Sequence, residues 1–509
     1  MFGNSKKLQL PCLFFLMIAV CTISTHAQNY SVLYDFESIP DGQLPVAGML
    51  ERNGVLYGTT QEGGSYNVET PSGTVFSVDI SSGKETVLHT FDGFFTGPDG
   101  AFPSSSLVAD SAGNLYGTTI GGGSNHTGTC YEQGCGIIFK MSPTGVETIL
   151  YTFTGGADGL APNGLIFDSL GNLYGSARWG GQGSQNGECC GTIFKLARNG
   201  TFTTLYTFPG GASGEAPAGS LVLDKSGNLY GATSFGGNTS ACIMSTSAGC
   251  GVLFKIDTIG NETVLYTFTG GADGAGPNGS LLRDSKGNLY GTAFSGGNPA
   301  CNNSSFYYPG CGVVFELTAS GTQKVLHAFR SAKGDGANPD SGLSTDGTAN
   351  LFSTTMFGGT YNDGTVFQLN AKGVTLLHSF KAYSDGWLPQ GGVIRDATGN
   401  LYGTTAGNNL GCPNGYNKGN CGTVFRIIAP PQIAKFTPSS GPVGDTVSIS
   451  GVSLSQTTGV TFNGTSATFT VQSDKSITAT VPAGATTGTI AITSPGGTVT
   501  SPTAFTVTP

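Results

Sequence analysis

Short runs of five or six apolar, β-branched and aromatic residues alternate with glycine-rich polar turns along most of the chain. One unit shows the pattern. Leu107 to Asp110 is an apolar run, followed by a turn at Ser111 to Asn114. Leu115 to Thr119 is the next run, and a longer polar segment follows it. Gly136 to Met141 and Thr148 to Phe153 are the third and fourth, with a short turn between them. Runs of this length and composition, bounded by glycine, predict four antiparallel strands, A to D. The Leu-Tyr-Gly of strand B recurs at Leu56, Leu115, Leu173, Leu229, Leu289 and Leu401, and as Leu351-Phe352-Ser353, at spacings of about 50 to 62 residues. Four strands per repeat at that period predict a β-propeller blade, and seven copies predict a seven-bladed propeller.

The chain enters and leaves this pattern out of phase. Ser31 to Phe36 matches strand D, whereas the last repeat supplies A, B and C and stops near Ile427. Residues 31–36 are therefore expected to complete the seventh blade and remove an exposed edge. Strand D ends at Phe36, Phe91, Phe153, Phe208, Phe268, Phe329 and Phe380. Strand C carries Phe76, Phe139, Phe194, Phe254, Phe315, Phe367 and Phe425. Aromatics that recur this regularly are core. Antiparallel connectivity puts the short A–B and C–D turns on one face and the long B–C and D–A loops on the other. The D–A loop repeats Asp-Gly-x-x-Pro, with Ser213 replacing Asp in one copy. Long, variable loops on a rigid face are where binding concentrates, so that face is the candidate surface.

Composition changes at Ala429-Pro430-Pro431. Downstream, short Thr-, Ser- and Val-rich runs alternate with turns, which predicts a small β-sandwich. Ile433 to Asp445, with Phe462-Asn463-Gly464-Thr465, resembles an IPT/TIG domain. That resemblance implies an immunoglobulin-like module acting as a spacer or interaction domain. The upstream repeats, typified by Gly113-Asn114-Leu115-Tyr116-Gly117-Thr118-Thr119 and a later Gly-x-[Val/Ile]-Phe-Lys-Leu, resemble the Gloeobacter/Verrucomicrobia-type tandem repeat (GloVer). This second resemblance implies a bacterial exported protein and assigns no activity. The expected organisation is a signal peptide at 1–27, a propeller at 28–428, a linker at 429–431 and an IPT/TIG domain at 432–509.

Composition bears on compartment and partners. The chain has 83 glycines and only 10% charged residues, against a usual charged share of about 25%. Disorder is excluded by a 38% hydrophobic content that recurs with a period. Lys6, Lys7, the apolar run Leu8 to Ile23 and Thr25-His26-Ala27 read as a cleavable secretory signal. Its removal takes away two lysines and no carboxylate, so the formal charge of −9 becomes −11. An acidic surface argues against nucleic acid, and no later run is long enough to span a membrane.

The ten remaining cysteines fall in the B–C loops as local pairs: Cys130 and Cys135, Cys189 and Cys190, Cys242 and Cys250, Cys301 and Cys311, Cys412 and Cys421. Pairing within each repeat, an even count and an export signal predict a disulfide in each loop, that of Cys189 and Cys190 being vicinal. Zinc is the competing reading, but no histidine or second cysteine pair stands at ligand spacing. No metal or cofactor motif is found.

Chemistry is sparse. His89, His327 and His378 occupy the strand-D position held elsewhere by Tyr34, Tyr151, Tyr206 and Tyr266, which is a packing position, and His126 lies in a loop. Asp110, Asp168, Asp224, Asp284 and Asp396 end strand A where aspartate favours the turn. An active-site pair should break the repeat's symmetry, and these obey it, so no catalytic residue is assigned. What breaks symmetry is aromatic: Trp179 beside Arg178, Trp387, Tyr307, Tyr308, Tyr361 and Phe235, all in long-face loops. Such rings can stack on a sugar or anchor a protein. The expected role is non-catalytic binding of an extracellular glycan or protein at the cell exterior. The alternatives are an extracellular carbohydrate-active lyase or hydrolase and a structural surface-display protein.

Overall fold

The Leu-Tyr-Gly triplet has one physical task per residue. The leucine is buried between sheets at Leu56, Leu115, Leu173, Leu229, Leu289 and Leu401. The tyrosine hydroxyl donates to the strand-A aspartate, as from Tyr116 to Asp110 Oδ2 at 3.0 Å and from Tyr402 to Asp396 Oδ2 at 2.9 Å. The glycine lies under the strand-C phenylalanine. A Cβ on Gly175 would stand 2.6 Å from Phe194 Cζ, and Gly58, Gly117, Gly291 and Gly403 show the same approach. The aspartate also accepts the backbone N–H and side-chain amide four residues on, as Asp110 does from Asn114. The strand-A aspartates are thus spent on closing the A–B turn.

The computed structural model describes residues 30–509 apart from 38, 65–71, 93–97, 126–129, 131–132, 182–189, 239, 241, 243–248, 302–308, 332–333, 383, 408–420 and 429. The expected signal segment 1–27 and His126, Tyr307 and Tyr308 lie outside the described residues. The described chain is all-β, with a 3₁₀ turn at Gly211–Ser213. Among the described residues, no helix is long and apolar enough to cross a membrane.

Seven sheets follow the antiparallel A-B-C-D order, six with four strands and one in which strand A is split into Leu160–Pro162 and Ile166–Phe167. A typical one runs Glu215–Leu223, Leu229–Phe235, Val252–Ile256 and Glu262–Thr267. Strand D shifts register against strand C at the phenylalanine in each, as at Leu253/Phe254. Seven clusters of buried side chains join the sheets in sequence. Val75 and Phe91 pack with Leu107 and Phe139, and Ile138 and Phe153 with Leu165 and Phe194. Ile193 and Phe208 meet Leu221 and Phe254. Leu253 and Phe268 meet Leu281 and Phe315. Val314 and Phe329 meet Leu351 and Phe367, and Val366 and Phe380 meet Val393 and Phe425. The last cluster, Val424 and Phe36 with Met49 and Phe76, returns to the first sheet. That closed cycle is a propeller. Each buried phenylalanine contributes about 1.5–3 kcal/mol. The N-terminal strand Tyr30–Asp35 is the outer strand of the last sheet, with Val32 opposite Phe425 of Thr423–Ile428.

The strand-D ring position also has a defined partner. Tyr34, Tyr151 and Tyr266 donate to Asp41, Asp158 and Asp273 of the following Asp-Gly loop. His89, His327 and His378 meet Asp99, Asp335 and Asp385 at 3.2, 3.0 and 2.8 Å. Either ring pins the D–A loop, which is why the position accepts both.

The C-terminal region is a two-sheet sandwich. Gln432–Thr437, Thr446–Val452, Ser476–Thr480 and Phe469–Ser473 form one sheet. The longest strands of the other are Gly459–Phe462, Gly488–Ser494 and Gly497–Val507. Val447, Ile449, Phe462, Ile477, Ile492 and Phe505 fill the space between. The sandwich touches the propeller on its short-turn face, where Ser455 Oγ donates to Thr398 O at 2.7 Å and Gln456 Nε2 to Asn400 Oδ1 at 2.5 Å. Among the described residues, none of the sandwich lines the cavity formed by Ala47, Asn163, Asn278 and Asp340.

Three disulfides are described, Cys130–Cys135, Cys242–Cys250 and Cys301–Cys311. Cys190 and Cys421 are also disulfide-bonded, and Cys189 and Cys412 lie outside the described residues. Each described bridge closes only a short loop, worth about 2–3 kcal/mol by chain entropy. Reduction is therefore expected to speed protease cleavage within the B–C loops while the far-ultraviolet circular dichroism keeps its β signal. Loss of that signal under mild reductant would show that the blades depend on the bridges.

Candidate functional site

The segment after the Asp-Gly-x-x-Pro proline does the same thing in every repeat: it turns in to the propeller axis. Ala47-Gly48, Ser105-Ser106, Asn163-Gly164, Gly219-Ser220, Gly279-Ser280, Ser341-Gly342 and Gln390-Gly391 together line one cavity of about 310 Å³. Small residues dominate because neighbouring segments touch through their backbones. A Cβ on Gly391 would lie 2.3 Å from Ala47 O, and one on Gly279 would lie 2.4 Å from Ser341 O. Hydrogen bonds stitch the ring from blade to blade. Asn163 Nδ2 donates to Pro217 O at 2.7 Å, Ser220 N to Ser280 Oγ at 2.8 Å, and Thr292 Oγ1 to Ser341 O at 2.8 Å.

On this sevenfold frame the side chains break symmetry. The residue directly after the proline is Val46, Ser104, Asn163, Ala218, Asn278, Asp340 or Gln390. Gln61 and Arg178 reach the same space from the ends of their B strands, which places two charged residues, Arg178 and Asp340, among the lining. Asn278 Nδ2 donates to Asp340 Oδ1 at 2.9 Å, and its own oxygen accepts from Ser234 Oγ at 2.5 Å. Burial pushes the Asp340 carboxyl up to about 6, against the Asn278 hydrogen bond and the Arg178 charge, which both hold it down. Burial also lowers the Arg178 pKa, with Asp340 opposing. The Arg178 guanidinium lies 5.5 Å from the centroid of Trp179, and that ring stacks on Phe235 at 6.4 Å and 18°.

Of the residues singled out in the sequence, Arg178, Trp179 and Phe235 are thus brought together, and Arg178 among them lines the axial cavity. Trp387 and Tyr361 are not part of that group. The Trp387 ring covers Gly407, and the two backbones exchange two hydrogen bonds, Trp387 N to Gly407 O at 3.0 Å and Gly407 N to Trp387 O at 3.1 Å. Tyr361 is 52% exposed and carries Lys381 Nζ 5.4 Å from its ring centre. Asp340, Asn278, Asn163, Gln61 and Gln390 were not anticipated. For all but Gln61 the signal was available: one frame position after an invariant proline, whose occupant varies among the repeats and is polar in five of the seven.

Among the described residues, one grouping of histidine and carboxylates has metal-like proximity. His89 Nε2 lies 3.2 Å from Asp99 Oδ2 and 3.8 Å from Glu147 Oε2, on outer strands away from the axial cavity. Burial disfavours the His89 cation, yet the Asp99 hydrogen bond and the charges of Asp99 and Glu147 outweigh it and raise the pKa. Burial, with Asp99 beside it, pushes Glu147 up to about 7. Tyr34, Asp41 and Glu85 make the equivalent contact between the last and first sheets, with burial pushing Glu85 also to about 7. The histidine grouping is therefore a variant of the loop-pinning contact, with Glu147 as a second carboxylate near His89.

The model of the Gloeobacter/Verrucomicrobia repeat matches residues 19–133, 131–307 and 301–454, and that of the IPT/TIG domain matches 431–507. No curated protein matches the chain in sequence. Solved structures similar to it include PorZ of Porphyromonas gingivalis, a surface component of the type-IX secretion system. That pair shares 13% identity over 92% of this chain and 60% of PorZ, with a TM-score of 0.47. A fungal alcohol oxidase of the AA5 family is 12% identical over 95% of this chain and 100% of its own, with a TM-score of 0.45. The aldose sugar dehydrogenase of Streptomyces coelicolor is 13% identical over 69% and 98%, with a TM-score of 0.40.

Proposed function

The chain belongs to the Gloeobacter/Verrucomicrobia repeat family and carries an IPT/TIG domain, and from that premise we propose that it is an exported, non-catalytic binding protein. Its ligand is a glycan held at the axial cavity on the long-loop face. The disulfides and the signal-like segment 1–27 support export. The sandwich, docked on the short-turn face, leaves the cavity open.

The observation that carries the reading is the ring of dissimilar polar side chains inside a sevenfold frame. Hydroxyl-rich ligands are held by such groups, as many directed donors and acceptors on a rigid wall, and Trp179 adds an aromatic surface beside them. The cavity is at the small end of the usual range of roughly 300–1,000 Å³, which suits one or two sugar rings. Asp340 is the one carboxylate, and no histidine lines the space, among the described residues. Glycoside hydrolysis uses two carboxylates, so the lining favours binding over that chemistry.

The test is a glycan array on residues 28–509, run with Trp179→Ala, Asn278→Ala and Trp387→Ala variants. Binding is expected for the parent, with Trp179→Ala or Asn278→Ala weakening it by about 2 kcal/mol, roughly thirtyfold in Kd, and Trp387→Ala leaving it nearly intact. Binding that survives both axial variants would move the site elsewhere. No binding by the parent would favour a protein partner or a display role.

A further inference from the structure

We propose that the ligand of the axial cavity is a carboxylated glycan whose carboxylate seats on Arg178. This rests on the reading of the cavity as a glycan site and names the chemical class it takes.

Arg178 carries the argument. Its guanidinium has five N–H donors in a planar fork. None is used on a protein acceptor among the described residues, although the side chain lines a cavity deep in the propeller face. Asp340 is near enough for each charge to shift the other's pKa, yet the two make no ion pair within 4.0 Å. What holds the guanidinium is the face of Trp179, with 5.5 Å to the ring centroid. Stacking of this kind fixes the plane of the fork and leaves its edge free. A partly desolvated cation with unspent donors is costly by itself, and an anion with two coplanar oxygens relieves that cost.

The rest of the lining selects among anions. Arg178 is the single cation in the cavity, and Asp340 is the counter-charge. A phosphate dianion would face one positive and one negative group, a poor balance. A singly charged carboxylate matches the one fork. Asn163, Asn278 and Gln390 stand around the axis as neutral groups for the hydroxyls of the same ligand. Arg178 and Asp340 are the only charged groups facing the space among the described residues, so Asp340 is what an incoming carboxylate must tolerate. Asp340 is ionised above about pH 6 and neutral below it. Affinity for an acidic ligand is therefore expected to rise as pH falls from 7.5 to 5, while the sugar carboxylate, with an ordinary low pKa, stays charged.

The experiment is titration calorimetry on residues 28–509 with matched oligosaccharide pairs that differ only in a C6 carboxylate against a C6 hydroxymethyl. Sulfated counterparts form a third arm. The acidic member should bind more tightly. Arg178→Gln should abolish that preference, a loss of roughly thirtyfold or more for the acidic member, with the neutral member changed by less than about threefold. Arg178→Lys should restore part of it, and Asp340→Asn should flatten the pH dependence by strengthening binding at pH 7.5. Thermal unfolding of each variant checks that the propeller is intact. Equal affinity for both members, or a preference for the sulfated arm, would overturn the proposal and leave the glycan reading standing. Failure of every oligosaccharide to bind would overturn both.

Discussion

A chain that begins at residue 38 is expected to lose its cooperatively folded propeller and to keep a folded C-terminal sandwich. Tyr30–Asp35 is the outer strand of the last sheet, and Phe36 directly after it is fully buried against Phe76 of the first. Tyr30 adds a stack on His378 at 3.9 Å and donates its hydroxyl to Asp385 O at 2.5 Å. Deletion removes the ladder along Thr423–Ile428, empties the Phe36 position and opens an edge. Losing one buried phenylalanine alone costs about 3–5 kcal/mol. Typical domain stability is about 5–15 kcal/mol, so the combined loss exceeds what a closed ring can spare. The sandwich core, from Ile433 to Phe505, contains no residue of the deleted segment. Calorimetry should show two transitions in residues 28–509 and the sandwich transition alone in the shortened chain. A shortened chain that keeps both would show that the ring is held by the inter-sheet clusters without its closing strand.

That strand, and the four-strand units, were legible because each repeated residue does one local job in most of the repeats. Leucine fills the inter-sheet layer, tyrosine reaches the turn aspartate, and glycine makes room for phenylalanine. Ser353 shows the limit of that rule. In the sixth repeat it replaces the glycine under Phe367, fully buried, and finds Ser341 Oγ at 2.8 Å and Gly342 O at 2.8 Å. The axial site was not legible in the same way. Its residues are separated by about fifty or sixty positions and meet only because the ring closes. Large rings such as Trp387 stood out in the sequence, yet Trp387 covers its own repeat's Gly407. Asp340 did not stand out, since an aspartate after a proline reads as another turn residue. Comparing the repeats at that one position, instead of reading each along its length, separates the two cases. Frame residues are the same in successive copies, whereas the position after the proline changes among Val46, Ser104, Asn163, Ala218, Asn278, Asp340 and Gln390.

Replacing Arg395 by alanine is expected to uncouple the sandwich from the propeller. Arg395 closes strand A of the last sheet, Val393–Arg395, on the short-turn face. Its Nη2 donates to Asp474 Oδ2 at 2.9 Å and to Ser453 Oγ at 3.1 Å, both in the sandwich. The two charged side chains are only 10% and 12% exposed, so this pair is not an ordinary surface bridge. Asp474 is committed further: it also accepts from Ser453 N at 3.3 Å and Ser455 Oγ at 3.0 Å. With the arginine gone, that carboxylate stays in place without its counter-charge, a situation that costs about 3–5 kcal/mol. Arg395 Nε already lacks a partner, so the pair is imperfectly satisfied and replacing both members need not cost as much. Arg395→Ala should therefore bring faster proteolysis around Pro430-Pro431 and a sandwich transition at lower temperature than in the parent. The double variant Arg395→Met, Asp474→Leu should recover most of the coupling. A single variant that unfolds like the parent would assign the docking instead to the neutral contacts of Ser455 and Gln456. Either result leaves the long-loop face untouched. A sandwich held through the short-turn side, with none of its described residues in the axial cavity, can carry or space the propeller while that cavity stays presented to its ligand.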